Sequence, residues 1–129
     1  MNRPPAELVL ETLAERFSVC KVTDYSGISA GQRYCFTAST DTENSLVCRT
    51  EDVPANTYAR EGGWRCFRIQ GELEFSLTGI LAGIAAVLAE HDISLFAVST
   101  YNTDYVFLKE AVFEKSLDAL RQNGYTIAE

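Results

Sequence analysis

Residues Trp64–Glu110 read WRCFRIQGELEFSLTGILAGIAAVLAEHDISLFAVSTYNTDYVFLKE. The stretch predicts strands over Trp64–Gln70 and Glu72–Thr78, a helix over Gly79–His91, and strands over Ser94–Thr100 and Asp104–Glu110. Ile80, Leu81, Ile84, Val87 and Leu88 fall at i, i+1, i+4, i+7 and i+8. That spacing makes a broad apolar stripe, suited to lying on a sheet. Thr78 or Ser76 can cap the helix start, and His91-Asp92 ends it. The helix opens with the backbone N–H groups of the Thr78-Gly79-Ile80 turn, and Asp104 comes just past the following strand. A carboxylate cradle and an ammonium partner together suit an amino acid, so the layout favours a sensing module over a catalyst.

Downstream, Phe113, Leu117 and Leu120 share one face of a helix from about Ala111 to Gln122. Asn123-Gly124 is a stop signal, and Tyr125-Thr126-Ile127 fits a closing strand. From Trp64 the order is therefore βαββαβ, the ferredoxin-like unit of the α+β class. Right-handed crossovers put both helices on one face of a four-stranded antiparallel sheet.

The first half is less regular. Over Leu8–Val22, Val9, Leu13 and Phe17 fall at i, i+4 and i+8, which allows a helix from Pro5 to Arg16. A hairpin turning at Glu15-Arg16 accounts for the same residues. Tyr34–Ala38 and Leu46–Arg49 are strand-like, and the turn residues Ser39–Asn44 between them predict a hairpin. Asp52–Gly63, with Pro54, Asn56 and Gly62-Gly63, marks a boundary. The expected division is an N-terminal half over residues 1–61 and a C-terminal domain over 62–129. The first of these is small for an independent core, so two packed halves are the economical arrangement.

Composition excludes several classes of function. The 129 residues carry a formal charge of −7, with eleven basic residues scattered among eighteen acids. Nucleic-acid binding needs clustered Lys and Arg, and none is visible. No run of about 18 apolar residues exists to span a bilayer. The start Met1-Asn2-Arg3-Pro4-Pro5 lacks a secretory h-region, so the expectation is a soluble cytoplasmic protein with no membrane partner. Cys20, Cys35, Cys48 and Cys66 form no Cys-x-x-Cys pair and lie far in sequence from His91, the single histidine. They read as small buried hydrophobes rather than metal ligands. His91-Asp92 is a poor catalytic pair, because adjacent residues at a helix end point in different directions. No nucleotide, zincin or serine-hydrolase motif appears, and no cofactor is expected.

Gly63-Trp64-Arg65-Cys66-Phe67-Arg68-Ile69, Gly79-Ile80-Leu81-Ala82-Gly83-Ile84 and Ser94–Tyr105 resemble the ACT-domain proteins. The nearest subgroup is the small bacterial tandem-ACT proteins and the related cytosolic arginine sensors of the TOR pathway in animals. Ser99-Thr100-Tyr101-Asn102-Thr103-Asp104 is the most specific motif, and the resemblance covers Gly62–Glu129 best. Over residues 6–61 it is weaker, and there it favours the hairpin for Leu8–Val22. It implies an ACT-like N-terminal half, an allosteric regulatory role without catalysis, and a small amino acid bound at an ACT–ACT interface. A homo-oligomer and a partner protein that receives the signal are further implications. The sensors' ligand positions carry over to Glu74, Phe75, Ser76, Thr78, Gly79, Ile80, Thr100 and Asp104. Glu74 stands where the sensors have a glycine, and Ser76 and Leu77 where they carry acids. The resemblance thus implies an amino-acid site without implying arginine.

Each candidate also has a purely structural reading. Gly79 can serve close helix–sheet packing, Asp104 can cap its own turn, and Asn102 and Thr103 are turn formers. A ligand-free homodimerisation or protein-interaction module is the rival function.

Overall fold

The computed structural model describes residues 8–70 and 79–129. It contains β1 (Val9–Val22), β2 (Phe36–Ser39), β3 (Asn44–Arg49), a short 3-10 turn (Thr50–Asp52), β4 (Thr57–Ile69), α1 (Ile80–Glu90), β5 (Phe96–Ser99), β6 (Asp104–Lys109), α2 (Glu110–Gln122) and β7 (Thr126–Ala128). From β4 onward the described elements follow the predicted βαββαβ order. The strand expected over Glu72–Thr78 lies outside the described residues. Cα packing divides the chain into a split unit, Met1–Ala14 with Arg65–Glu129, and a continuous unit, Glu15–Trp64. The division falls inside β1 and β4.

In the split unit the strand order is β7-β1-β4-β6-β5. β5 and β6 form an antiparallel hairpin, with Phe96 opposite Phe107 and Ser99 opposite Asp104. β7 runs parallel to the start of β1, with Val9 opposite Thr126 and Glu11 opposite Ala128. Among the described residues the predicted four-stranded antiparallel sheet is thus corrected to five strands, with the start of β1 inserted between β7 and β4. The cause is the apolar pair Leu8 and Leu10, whose side chains join the core with Phe67, Ile69, Val106 and Leu108. α1 adds Ile84, Val87 and Leu88 to that core, and α2 adds Phe113, Leu117 and Leu120. Both helices therefore cover the same face of the sheet. Each fully buried Leu, Ile or Phe contributes about 1.5–3 kcal/mol over its exposed form.

Both helices stop as their sequences predict. In α2, Gly124 takes a left-handed φ of 92°, while the Gly124 and Tyr125 N–H groups donate to the carbonyls of Arg121 and Leu120. In α1, Asp92 takes the glycine's place at φ 56°, and the Asp92 and Ile93 N–H groups donate to Ala89 and Leu88. Each end is a Schellman closure, sealed by a buried apolar residue after the left-handed one.

In the continuous unit the order is β2-β3-β1-β4. The β2–β3 hairpin forms as predicted, with Phe36 opposite Val47 and Ser39 opposite Asn44. Its turn is closed by the Thr40 N–H donating to the Glu43 carbonyl at 2.9 Å. The Thr40 hydroxyl also accepts from the N–H groups of Thr42 and Glu43. Leu8–Val22 is neither hairpin nor helix. Val9–Val22 is one unbroken strand, and its latter part pairs antiparallel with β3, Phe17 opposite Arg49 and Cys20 opposite Leu46. Asp52–Gly63, read as a boundary, turns into β4 from Thr57. The left-handed φ of 81° at Gly63 lets the strand kink without cost there. Cys20, Val22, Leu46 and Cys48 form this unit's core, joined by half-buried Tyr25, Ile28, Cys35 and Val53.

Candidate functional site

The Thr100–Thr103 turn joins β5 to β6, and its own polar atoms hold it rigid. The Thr100 N–H and hydroxyl both donate to the Thr103 carbonyl, at 2.9 and 3.0 Å. The Thr103 N–H donates back to the Thr100 hydroxyl oxygen at 3.4 Å. Thr103 then reaches out of the turn: its buried hydroxyl donates to the Ile69 carbonyl at 2.7 Å. One residue on, the Gln70 N–H donates to the Val9 carbonyl at 2.8 Å. The point where the chain leaves β4 for segment 71–78 is therefore clamped by β1 and by the β5–β6 turn.

Beside this clamp lies a cavity of about 430 Å³ lined by Glu11, Arg68, Ile69, Gln70, Asn102, Thr103 and Tyr105. Its volume is in the range of small-molecule sites. The Arg68 Nε donates to Glu11 Oε1 at 3.1 Å and its Nη1 to the Tyr105 hydroxyl at 3.3 Å. The guanidinium also lies 5.9 Å from the Tyr105 ring centroid, a cation–π distance. The Tyr105 hydroxyl foremost, with the Glu11 carboxylate, pushes the Arg68 pKa above its ordinary value. The cavity wall is thus a fixed cation matched by a fixed anion.

Asp104 opens β6 beside the turn. Its half-buried carboxylate accepts a hydrogen bond from the Ser99 hydroxyl at 2.6 Å, across the Ser99–Asp104 pair. Among the described residues no Lys, Arg or His lies within ion-pair distance of it. At the start of α1, Gly79 has a left-handed φ of 79°, and its carbonyl accepts the Gly83 N–H at 2.8 Å. A side chain at this position would be strained, so the glycine is required by backbone geometry.

Residues 59–122 match the ACT domain family. The chain carries an ACT domain there. The bovine cytosolic arginine sensor for mTORC1 subunit 1 is 41% identical over 64 residues, which cover 47% of this chain and 20% of that protein. The chain therefore spans about a fifth of the length of the curated relatives it matches. Among solved structures, Atu0741 from Agobacterium tumefaciens superposes with a TM-score of 0.81 at 27% identity, covering 98% of this chain and 93% of that one. The ligand-free regulatory subunit of aspartate kinase from Thermus thermophilus shares the fold, with a TM-score of 0.58 at 11% identity over 89% of this chain and 96% of that one.

Of the candidate ligand residues in the ACT domain, Glu74, Phe75, Ser76 and Thr78 lie outside the described residues. Gly79 and Ile80 stand at the helix entrance; Ile80 is half-buried and packs against the core. The Thr100 hydroxyl and N–H serve the turn. Asn102 and Thr103, read as turn formers, line the cavity as well. Sequence reasoning missed the Arg68, Glu11 and Tyr105 group, because nothing local signals an ion pair between residues so far apart in the chain. His91 Nδ1 lies 3.0 Å from the Val87 carbonyl one turn back in α1. Among the described residues no group of His, Cys, Asp and Glu could hold a metal ion, and no helix is long and apolar enough to cross a membrane.

Proposed function

We propose that this ACT-domain protein is a non-catalytic regulatory module that binds a small amino acid beside the β5–β6 turn. The observation that carries the reading is Asp104. Its carboxylate is half-buried and oriented by Ser99, and no basic side chain among the described residues neutralises it. A ligand ammonium would supply the missing charge through a charge-assisted hydrogen bond. The ligand carboxylate would take the backbone N–H groups opening α1, where the helix dipole favours an anion. The arginine-sensor relative supports an amino acid as the ligand class. With no chemistry of its own, the module acts through a partner protein, and as a homo-oligomer it could present two sites.

The test is a thermal-shift panel of the twenty amino acids at millimolar concentration, on the protein and on Asp104→Asn. A ligand at about 100 times its Kd adds ~2.7 kcal/mol, which moves the midpoint by several degrees. The asparagine keeps the Ser99 hydrogen bond and removes the charge. The expected result is a selective shift that Asp104→Asn abolishes while its own melting point stays close to that of the parent. A flat panel, or a shift the variant retains, would refute the site and leave the assembly module as the better reading.

A further inference from the structure

The cysteines were read from sequence as inert packing, yet the fold gathers three of them in the continuous unit. The β2–β3 register ends with Phe36 opposite Val47, and carried one residue past the end of β2 it would set Cys35 beside Cys48. The hairpin fixes the kind of pair this is. Thr40 and Glu43 close a hydrogen-bonded pair at the turn, and the alternation of an antiparallel ladder then makes Cys35–Cys48 a non-hydrogen-bonded pair. Such pairs have Cα atoms about 4.5 Å apart and the closest side chains. That separation lies inside the range of about 4.4–6.8 Å that a disulfide spans.

Packing agrees with register. Cys48 is fully buried and Cys20 is 2% exposed, while half-exposed Cys35 packs against the cluster these two form with Val22 and Leu46. The Cys20 and Cys48 thiols are close enough to shift each other's ionisation. Cys20 is nevertheless the wrong covalent partner. In the β1–β3 register Ser18 faces Cys48 and Cys20 faces Leu46, so Cys20 and Cys48 are diagonal neighbours. Diagonal pairs stand about 7–8 Å apart, beyond the reach of a disulfide without backbone movement.

We propose that Cys35 and Cys48 are an oxidation site, joined in a reversible disulfide when a hydroperoxide reaches the half-exposed Cys35 thiol. The Cys35 sulfur attacks the peroxide oxygen and the O–O bond breaks. This yields Cys35 sulfenic acid and releases the other oxygen as water or an alcohol. The Cys48 sulfur then attacks the Cys35 sulfur. The S–O bond breaks, the Cys48 proton leaves with the departing oxygen, and water is released. Two thiols lose two electrons in total and one peroxide gains them. Burial pushes the Cys48 thiol up to about 12 and raises Cys35 as well. Both steps are therefore slow at neutral pH, and the site responds to sustained oxidant rather than to traces. The bond would staple the start of β2 to β3.

The experiment treats the full chain with hydrogen peroxide, then reads intact mass and a non-reducing peptide map. The expected result is loss of two hydrogens, a Cys35–Cys48 cross-linked peptide, and reversal by dithiothreitol. Cys20→Ser should still form the bond and Cys35→Ser should not, with circular dichroism checking that both variants fold. An unchanged mass, a Cys20–Cys48 link, or oxygen adducts on Cys35 without a cross-link would overturn the proposal. The peptide map of the parent protein decides even if a variant fails to fold.

Discussion

Replacing Gly83 with alanine sets two known terms against each other. Gly83 lies inside α1, where alanine is favoured over glycine by about 1 kcal/mol. Its new β-carbon would stand 2.9 Å from the Tyr125 hydroxyl oxygen, closer than such atoms approach. The hydroxyl is the far end of a side chain, but the ring has little freedom to retreat. Tyr125 is 7% exposed, and its N–H closes the end of α2 on the Leu120 carbonyl. Overpacking of this kind costs about 1–3 kcal/mol. Gly83→Ala should therefore destabilise the protein by roughly 0–2 kcal/mol. In a Tyr125→Phe background the obstructing oxygen is gone, and the same change should stabilise by up to ~1 kcal/mol. Urea denaturation of the four proteins in the double-mutant cycle measures the coupling. The reasoning is refuted if Gly83→Ala has the same effect in both backgrounds.

Thr103→Val keeps the shape of the β5–β6 turn but removes the hydroxyl that reaches the Ile69 carbonyl. A buried carbonyl left without that donor should cost about 1–3 kcal/mol in urea melts; a loss under about 0.5 kcal/mol would mean the clamp on β4 is held by other bonds. Alkaline pH offers a separate check, because Cys48 titrates near 12 in the folded protein against an ordinary 9.0. Its contribution is complete below about pH 9 and drains away as pH rises toward 12, since the unfolded thiol ionises first. Cys48→Ala should accordingly lose less stability than the parent between about pH 8 and about pH 10.5, and equal losses would argue against the raised thiol.

The helices were legible because their apolar residues keep the 3.6 period and their ends carry left-handed residues at the right places. β1 was not, and the reason is arithmetic. Val9, Leu13 and Phe17 recur every four residues, a spacing that satisfies one face of a helix and one face of a strand alike. The strand over Thr57–Gly63 was not legible because exposed Tyr58–Glu61 and two glycines look like loop, whereas a strand with little of its surface buried tolerates such residues. At the site, the sequence marked Ser99–Asp104 as special and assigned Thr103 to the turn. It could not show that Thr103 anchors β4, because that bond joins residues 34 apart in sequence. The Arg68–Glu11 pair is longer-range still and has no local pattern at all. Such partners become visible only when the strand order is known.

That strand order also sets a sequence of events for the chain as it acquires its fold. β1 sits between β4 and β7, so the strand made early waits for partners made late. Val9 meets Thr126 only when nearly the whole described chain is available. The β5–β6 hairpin and the two helices rest on local contacts and can form quickly, whereas the docking of Leu8 and Leu10 beneath them must close a very long loop. Topologies dominated by such distant pairings fold slowly. Until that last docking step, the apolar underside of α1 and α2 stands partly open. In a cell this interval, rather than the finished structure, is when the protein is most vulnerable to aggregation.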